Sequence, residues 1–225
     1  MTDQNQVTID VVSDVVCPWC YLGMKRLESA LAALPGINAE IRWRPFQLDP
    51  TIPPEGKDRR AYMLAKFNDE ARLQQIHANL VSLGALEGIS FDFDAISISP
   101  NTLDAHRVIR WAAASGDGVQ SKLVRSLFSL YFERGKNIGD HRVLIEAARD
   151  AGMDAAVVEA MLPTDADRDE VTNEVATASR MGITGVPCFL LDGKYAVMGA
   201  QDAATLADAI RQVAVEKASG EPSAG

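Results

Sequence analysis

The chain opens with a short apolar run that is followed by a helical pattern. Val7 to Val12 is rich in β-branched residues and short enough for a buried strand. Apolar positions from Tyr21 to Leu34 recur at helical spacing, and Pro35 and Gly36 end that helix. Residues 39–44 then alternate between apolar and polar side chains, as in a half-buried strand. We therefore predict a β-α-β unit at the start of the chain.

The middle of the chain has a different pattern. Residues 45–57 contain four prolines and a glycine, which is typical of a loop that leaves one structural unit for another. From about residue 59 to residue 162 the apolar positions recur at helical spacing, apart from irregular connectors at 91–94 and 97–101. This stretch predicts a helical domain.

The α/β pattern returns near the C-terminus. Residues 171–181 predict a helix that Gly182 ends in a left-handed cap. Two short apolar segments, 188–191 and 195–198, flank the pair Asp192-Gly193 and predict a β-hairpin. A last helix follows, with Asp202 as its predicted N-cap.

The order of these elements predicts the fold class. A β-α-β unit, a helical insertion and an α-β-β-α unit are the layout of an α/β thioredoxin fold with an inserted all-helical domain. We assign residues 1–50 and 166–216 to the thioredoxin-like domain and residues 51–165 to the helical domain. Residues 217–225 are rich in Ser, Gly and Pro and predict a disordered tail.

Composition and charge exclude several classes of function. The 225 residues are 47% hydrophobic and 24% charged, which is ordinary for a globular protein. The 22 basic and 31 acidic residues give a net charge of −9 without a basic cluster, so we expect no nucleic-acid partner. No apolar stretch approaches the roughly 20 residues of a membrane span, and the polar N-terminus predicts no signal peptide. Three cysteines without an export signal favour a cytoplasmic protein whose thiols turn over.

The sequence Cys17-Pro18-Trp19-Cys20 narrows the function most. It lies where the first predicted strand meets the first helix, so Cys17 is expected at a helix N-terminus, where unpaired N–H groups and the helix dipole favour the thiolate. Cys17 is the predicted nucleophile. Cys20 lies one helical turn further on and is predicted to resolve a mixed disulfide. Pro18 suits a first helical turn, and Trp19 adds apolar surface beside the reactive sulfur.

A pair of cysteines at this spacing is also found as half of a zinc site or as two incidental residues. A structural zinc needs four ligands, and besides the pair the chain offers only Cys188 and three scattered histidines. A CxxC beside a strand-helix junction is typical of a redox motif. We therefore predict a redox-active dithiol and no metal.

Several segments together resemble the DsbA-like thiol-disulfide oxidoreductases, most of all their cytoplasmic FrnE-type branch. The resemblance extends from Ile9 to about Val213. The segments that carry it are Asp14-Val15-Val16-Cys17-Pro18-Trp19-Cys20, Arg44-Pro45-Phe46-Gln47-Leu48, Asn101-Thr102-Leu103-Asp104-Ala105-His106-Arg107, Gly182-Ile183-Thr184-Gly185-Val186-Pro187, and the hairpin Asp192-Gly193-Lys194-Tyr195 followed by Gly199-Ala200-Gln201.

The resemblance implies a cis peptide bond between Val186 and Pro187 that faces the dithiol. In that position the Val186 backbone would bind an extended substrate strand beside Cys17, whereas the alternative is that Pro187 is an ordinary turn residue. The resemblance also places residues 101–107 at the cleft between the two domains. The predicted substrate-binding residues are Pro18, Trp19, Asn101, His106, Val186 and Pro187.

Three residues near these motifs leave alternatives open. His106 is either a satisfied core histidine or a group that stabilises the thiolate or moves its proton. Asp14 either ends the strand at the surface or accepts a proton when Cys20 attacks. Cys188 is either a third redox thiol or a buried structural thiol, and strand periodicity favours the second because it points Cys188 away from the dithiol. The positions interpreted as solvated helix surface are His77, His141 and residues 165–170.

The predicted activity is the reduction, formation or isomerisation of disulfides in proteins or peptides, through a Cys17 mixed disulfide that Cys20 resolves. No cofactor is predicted, and glutathione is a candidate reductant. A glutathione-dependent isomerase or kappa-type glutathione transferase is an alternative with the same fold, but such relatives usually have serine in place of Cys17. A peptide-binding chaperone module is a further alternative. The resemblance also implies a less oxidising dithiol than in the strong oxidants, which have histidine where this chain has Trp19.

Overall fold

The computed structural model describes residues 6–219. In chain order its strands and helices are β1 (Gln6–Ser13), α1 (Pro18–Ala32), β2 (Asn38–Pro45), β3 (Lys57–Asp58), α2 (Arg59–Phe67), α3 (Glu70–Leu86), β4 (Ile98–Ser99), α4 (Leu103–Ala112), α5 (Val119–Phe132), α6 (His141–Ala151), α7 (Ala155–Met161), α8 (Arg168–Arg180), β5 (Cys188–Leu191), β6 (Tyr195–Met198) and α9 (Ala203–Ser219).

A four-stranded sheet of order β2-β1-β5-β6 forms the centre of the molecule. β1 runs parallel to β2, with Gln6 opposite Asn38, and α1 is the crossover between them. β5 runs antiparallel to β1 and to β6, with Cys188 opposite both Val12 and Met198. This topology is the predicted thioredoxin fold.

The two faces of the sheet bury different clusters, as the two-residue period of a strand requires. Val7, Ile9 and Val11 point from β1 into the main core, which α1, α9 and the helices α3 to α7 also enter. Val12 points to the other face, into a smaller cluster with Ala178 of α8. The dithiol helix α1 therefore shares its core with the helical insertion.

Aromatic contacts join α1 to the insertion. The ring of Tyr21 stacks on Phe128 of α5 with centroids 5.1 Å apart, and it meets Phe91 edge-on at 5.8 Å. Such pairs add about 0.5–1.5 kcal/mol each beyond the area they bury. The start of α1 is thus fixed against the helical part of the molecule.

The insertion is not all-helical, contrary to the sequence prediction. β3 and β4 form an antiparallel ladder with Lys57 opposite Ser99 and Asp58 opposite Ile98. The sequence predicts an irregular segment at 97–101, because strands of two residues are too short to show an alternating pattern.

Helix and turn signals near the C-terminus lie where the sequence predicts them. Gly182 has a φ of +82° and follows α8, and the N–H of the next residue, Ile183, donates to the Ala178 carbonyl at 3.1 Å. Asp202 accepts a hydrogen bond from the Thr205 N–H at 2.8 Å before α9.

The prediction of a disordered tail from residue 217 is wrong for residues 217–219, which form the last turn of α9. Lys217 holds this turn because its Nζ lies 2.7 Å from the Gln6 carbonyl oxygen and 3.0 Å from Asp192 Oδ2. Residues 220–225, the rest of that prediction, lie outside the described residues.

His141 and the charged run 165–170 are not merely solvated, contrary to the sequence interpretation. His141 Nε2 lies 3.0 Å from Asp104 Oδ2, and Arg168 pairs with the same carboxylate at 3.3 Å. Asp167 accepts a hydrogen bond from Trp111 Nε1 at 2.8 Å. These contacts join α4 to α6 and α8 across segments that are far apart in sequence.

Within residues 6–219 no helix has the length and apolar character to cross a bilayer.

Candidate active site

The dithiol lies at the junction of β1 and α1. Cys17 is the N-cap of α1, and Pro18 takes the first helical position. The Cys17 N–H donates to the Asp14 carbonyl at 2.9 Å, while the Cys17 carbonyl accepts from the Cys20 N–H at 3.0 Å. Both cysteines are free thiols. The chain therefore places both cysteine side chains at the start of a helix.

The two sulfurs have different surroundings. Cys17 is 4% exposed and lines a cavity between the domains, whereas Cys20 is 1% exposed and lies outside that cavity wall. Burial raises the pKa of Cys20 well above its usual range, and the hydrogen bond and charge of Cys17 raise it further, against hydrogen bonds from Ser13 and the Asp14 backbone. Cys20 thus favours its protonated form, while Cys17 faces the cavity.

The Val186–Pro187 peptide bond is cis and lies against the dithiol. The Cys17 thiol donates to the Val186 carbonyl, with Sγ 3.8 Å from the oxygen. Pro187 is packed on α1 at Gly23, where an added Cβ would lie 2.9 Å from Pro187 Cγ. Gly23 is a positioning residue that sequence reasoning missed, because only the folded contact shows why a side chain is excluded.

The cavity beside Cys17 has a volume of about 270 Å³ and lies between the two domains. Trp19 and Leu48 are at this site with 36% and 40% of their surface exposed. Apolar side chains from the insertion that line the cavity are Met63, Phe67, Leu73, Ile76, Leu80 and Phe93. Larger grooves elsewhere, such as one of about 530 Å³ between Thr8 and Lys217, contain no cysteine.

Asp14 is buried, so the alternative that it ends the strand at the surface is wrong. Its side chain is 1% exposed and lines the cavity, and Oδ2 accepts the Leu48 N–H at 2.8 Å. Its Oδ1 lies 3.5 Å from His106 Nε2, and neither atom has a hydrogen-bond partner among the described residues. His106 is 3% exposed and does not line the cavity, so a substrate there would meet Asp14 and not the imidazole.

Asn101 holds the proline-rich loop instead of lining the cavity. Its Nδ2 donates to the Ile52 carbonyl at 2.6 Å, and its Oδ1 accepts from Gln47 Nε2 at 3.2 Å and from the Leu103 N–H at 2.9 Å. Its neighbours Pro100 and Thr102 line the cavity. Asn101 therefore shapes the cleft through the loop it fixes.

His77 lines the cavity, so its interpretation as solvated surface is wrong. Its ring stacks on Phe93 with centroids 4.1 Å apart. Burial lowers the pKa of His77, and the charge of Arg59 lowers it further. Arg59, Tyr62 and Lys66 line the same cavity and were also missed. Their spacing along a helix does not predict that they line the same cavity as Cys17, because that arrangement depends on how the helical insertion packs against the thioredoxin-like domain.

Cys188 is fully buried on the sheet face opposite the dithiol. It packs with Val12, Phe46, Ala178 and Ile183 in the smaller core cluster, away from the cluster that holds Cys17 and Cys20. Burial raises the pKa of its thiol.

In residues 6–219 no three His, Cys, Asp or Glu side chains come together as metal ligands.

Comparison with known proteins identifies matches over nearly the whole chain. A family model described as a DSBA-like thioredoxin domain matches residues 8–211. The chain is similar to the crystal structure of a probable DsbA oxidoreductase from Streptomyces coelicolor, with 32% identity, a TM-score of 0.84, and coverage of 97% of this chain and 92% of the other. An uncharacterized Bacillus subtilis protein, YwbO, is 28% identical over 86% of this chain and 90% of its own.

A more distant structure shares the fold. The cytosolic disulfide reductase DsbM from Pseudomonas aeruginosa, solved with GSH, is 17% identical, with a TM-score of 0.57 over 92% of this chain and 96% of that one.

Proposed function

This chain belongs to the DSBA-like thioredoxin domain family, and on that premise we propose that it is a cytoplasmic thiol-disulfide oxidoreductase that reduces or isomerises disulfides in proteins and peptides. The observation that carries the proposal is the asymmetry of the dithiol. Cys17 lines the interdomain cavity, and Cys20 is held protonated and buried directly behind it. This is the order of access that attack followed by resolution requires.

In the proposed reduction, the Cys17 thiolate attacks one sulfur of a substrate disulfide. A new S–S bond forms, the substrate S–S bond breaks, and the other half leaves as a thiolate that takes a proton from solvent. Cys20 then loses its proton and attacks Cys17 Sγ, which releases the second substrate thiolate. The substrate gains two electrons and the enzyme pair becomes a disulfide.

The surroundings of Cys17 support an extended and variable substrate. Val186 presents its backbone beside the Cys17 sulfur, which suits main-chain recognition that does not depend on side-chain identity. The exposed surfaces of Trp19 and Leu48 add apolar contact at the same site. If a thiol of the bound substrate attacks the mixed disulfide before Cys20 does, the outcome is isomerisation.

We propose the cytosolic thiol pool as the electron source, with glutathione as the reductant. Two thiol molecules would reduce the Cys17–Cys20 disulfide by the reverse of the steps above. The GSH in the solved DsbM complex is consistent with this choice. The intact Cys17 disfavours a glutathione-dependent isomerase, because such relatives usually have serine in place of Cys17.

Insulin reduction with glutathione tests the proposal. Cys17→Ser should abolish the activity, and Cys20→Ser should accumulate mixed disulfides on Cys17. Cys188→Ala is the matched control, because that thiol is buried in the other cluster, and it should keep the activity. Insulin reduction that survives in Cys17→Ser would contradict the proposal.

A further inference from the structure

Arg59 is a cation in the cavity wall without an anionic partner among the described residues. It is the first residue of α2 and lines the same cavity as Cys17. Its Nη1 donates to the Tyr131 hydroxyl at 3.3 Å and to the Ser99 hydroxyl at 3.5 Å, which are long contacts to neutral groups. Among residues 6–219 no carboxylate oxygen lies within 4.0 Å of its guanidinium nitrogens.

The two carboxylates that line the cavity accept hydrogen bonds from other donors and not from Arg59, although Asp14 Oδ1 has no hydrogen-bond partner among the described residues. Asp14 accepts from the Leu48 N–H at 2.8 Å. Asp49 accepts from the Thr51 N–H at 2.9 Å and from the Tyr62 hydroxyl at 3.0 Å. The Nε and Nη2 groups of Arg59 have no acceptor within the described part of the chain, and they are not sealed from solvent. A ligand can therefore reach donors that the fold leaves unused.

Apart from Asp14, Asp49 and Lys66, the rest of the cavity wall is uncharged and largely apolar. Burial and the charge of Arg59 lower the pKa of His77, which favours its neutral form, and its ring stacks on Phe93. Lys66 is exposed, with its Nζ 3.5 Å from the Tyr62 hydroxyl. A half-buried guanidinium in such surroundings gains more from an anion than it would in water.

The size of the cavity limits what the ligand is. Its volume of about 270 Å³ falls just under the roughly 300–1,000 Å³ of sites for drug-sized ligands. A volume of this size suits a small molecule, whereas an extended substrate strand would lie beside it along the Val186 backbone. A guanidinium with free Nε and Nη2 donors matches the two oxygens of a carboxylate.

We propose that Arg59 binds the carboxylate of a small thiol or disulfide whose sulfur reacts with Cys17. The inference rests on the proposed reactivity of Cys17 and adds the chemical class of its small-molecule partner. With such a disulfide, Cys17 forms an S–S bond to one sulfur and the other half leaves as a thiolate, which takes a proton from solvent. Attack by Cys20 then releases the first half, so the disulfide gains the two electrons that the dithiol loses.

Two pairs of probes separate binding of a carboxylate from reactivity of the thiol. The first pair is dithiobis-nitrobenzoate, which carries a carboxylate on each ring, and the neutral dithiodipyridine. The second pair is iodoacetate and iodoacetamide, which alkylate Cys17 with formation of an S–C bond and loss of iodide. The variants are Arg59→Gln, Arg59→Lys and the matched control Arg60→Gln, whose native side chain is 80% exposed and pairs with Glu70.

In each pair the measured quantity is the ratio of the second-order rate with the anionic probe to that with the neutral probe. Mass spectrometry follows the alkylation of Cys17, and release of the aromatic thiolate follows the disulfide reaction, because Cys20 removes that adduct from Cys17. Arg59→Gln should lower this ratio about tenfold, which corresponds to one charge-assisted hydrogen-bonded contact. Arg59→Lys should keep only part of the ratio, because it retains the positive charge but loses the two-point geometry, and Arg60→Gln should leave the ratio unchanged. An unchanged ratio in Arg59→Gln, or a parallel fall of both rates, would overturn the proposal.

The alkylation pair keeps this inference separate from the proposed function. A shifted alkylation ratio in a protein that reduces no disulfide would support the Arg59 site and refute the oxidoreductase. Disulfide reduction by Cys17 with an unchanged alkylation ratio in Arg59→Gln would support the oxidoreductase and refute the Arg59 site. If Arg59→Gln does not fold, wild-type protein provides the test. Phenylpropionate should slow iodoacetamide alkylation of Cys17, whereas the neutral phenylpropionamide should not, and equal protection would contradict the site.

Discussion

At the scale of single residues, environment separates the roles of two identical side chains. Cys17 and Cys20 are one helical turn apart, yet only the first lines the interdomain cavity. The sequence predicted both the pair and its position at a strand-helix junction, because that motif is local. The sequence did not predict the roles of Gly23, Arg59 and His77, because each depends on a contact with a segment far away in the chain.

Alkylation of the reduced protein near neutral pH should modify Cys17 well before Cys20. Burial and the neighbouring sulfur raise the pKa of Cys20, which removes the reactive thiolate there. Timed iodoacetamide quenching with peptide mapping measures the order. Adducts that accumulate first on Cys20 would reverse the assignment of nucleophile and resolving thiol.

Cys188→Ala should leave the reduction potential of the dithiol nearly unchanged. The variant removes one heavy atom from a fully buried site in the smaller cluster, so the free energy of unfolding should fall by about 1 kcal/mol. Denaturant titration and thiol-disulfide equilibration measure the two quantities. A disulfide between Cys188 and either active-site cysteine under mild oxidation would refute the structural role.

At the scale of elements, the periodicity of apolar residues predicted the helices and the longer strands. It does not show where very short strands pair or where two backbone segments approach each other closely. The two-residue strands β3 and β4 are one example. Gly135 is another: it has a φ of +60°, and a Cβ there would lie 2.2 Å from the Ala95 carbonyl oxygen. This contact holds the connector that carries Phe93 to the cavity wall.

Gly135→Ala should destabilise the protein more than Gly118→Ala. Gly118 also has a positive φ, +75°, but a Cβ there meets nothing within 4 Å. Both variants lose roughly 1–2 kcal/mol because alanine disfavours the left-handed conformation, and Gly135→Ala loses more because backbone must move. Urea unfolding of the two proteins measures the difference. Equal losses would show that the Gly135 contact relaxes without cost.

At the scale of the whole molecule, Asp104 joins the insertion to α8. Arg107, His141 and Arg168 all contact its carboxylate, and Arg107 is fully buried. Burial alone would raise the pKa of Asp104, but hydrogen bonds from His141 and Arg107, together with the charge of Arg168, lower it. The network spans three helices and was not visible in the local sequence pattern.

Because the folded-state pKa of Asp104 is depressed, its contribution to stability is present above the unfolded pKa of about 3.9 and is lost as pH falls through the lower folded value. Asp104→Asn should therefore destabilise the protein by about 2 kcal/mol at pH 7, and its deficit against wild type should shrink below about pH 4. Asp165→Asn is the control, since Asp165 also pairs with Arg168 but is 95% exposed. A deficit that stays constant into strong acid would contradict the account.

The direction of electron flow is a property of the whole enzyme in its compartment. Trp19 is neutral, so the thiolate lacks the stabilisation that histidine gives in the strong oxidants. Losing about one to two units of thiolate stabilisation, at about 1.36 kcal/mol per unit, shifts a two-electron couple by roughly 30 to 60 mV toward reducing. The strong periplasmic oxidants with histidine at this position have a reduction potential of about −120 mV, so the shift gives about −150 to −180 mV for the Cys17–Cys20 couple.

Equilibration of the Cys17–Cys20 couple with glutathione buffers, read out by mass spectrometry of the quenched thiols, tests the central claim most directly. We predict a two-electron transition at about −150 to −180 mV, above the cytosolic glutathione poise of roughly −220 mV or lower, so that the resting enzyme is a reduced dithiol that acts as a reductase or isomerase. A potential below about −300 mV would mean a largely oxidised resting enzyme and would contradict the account.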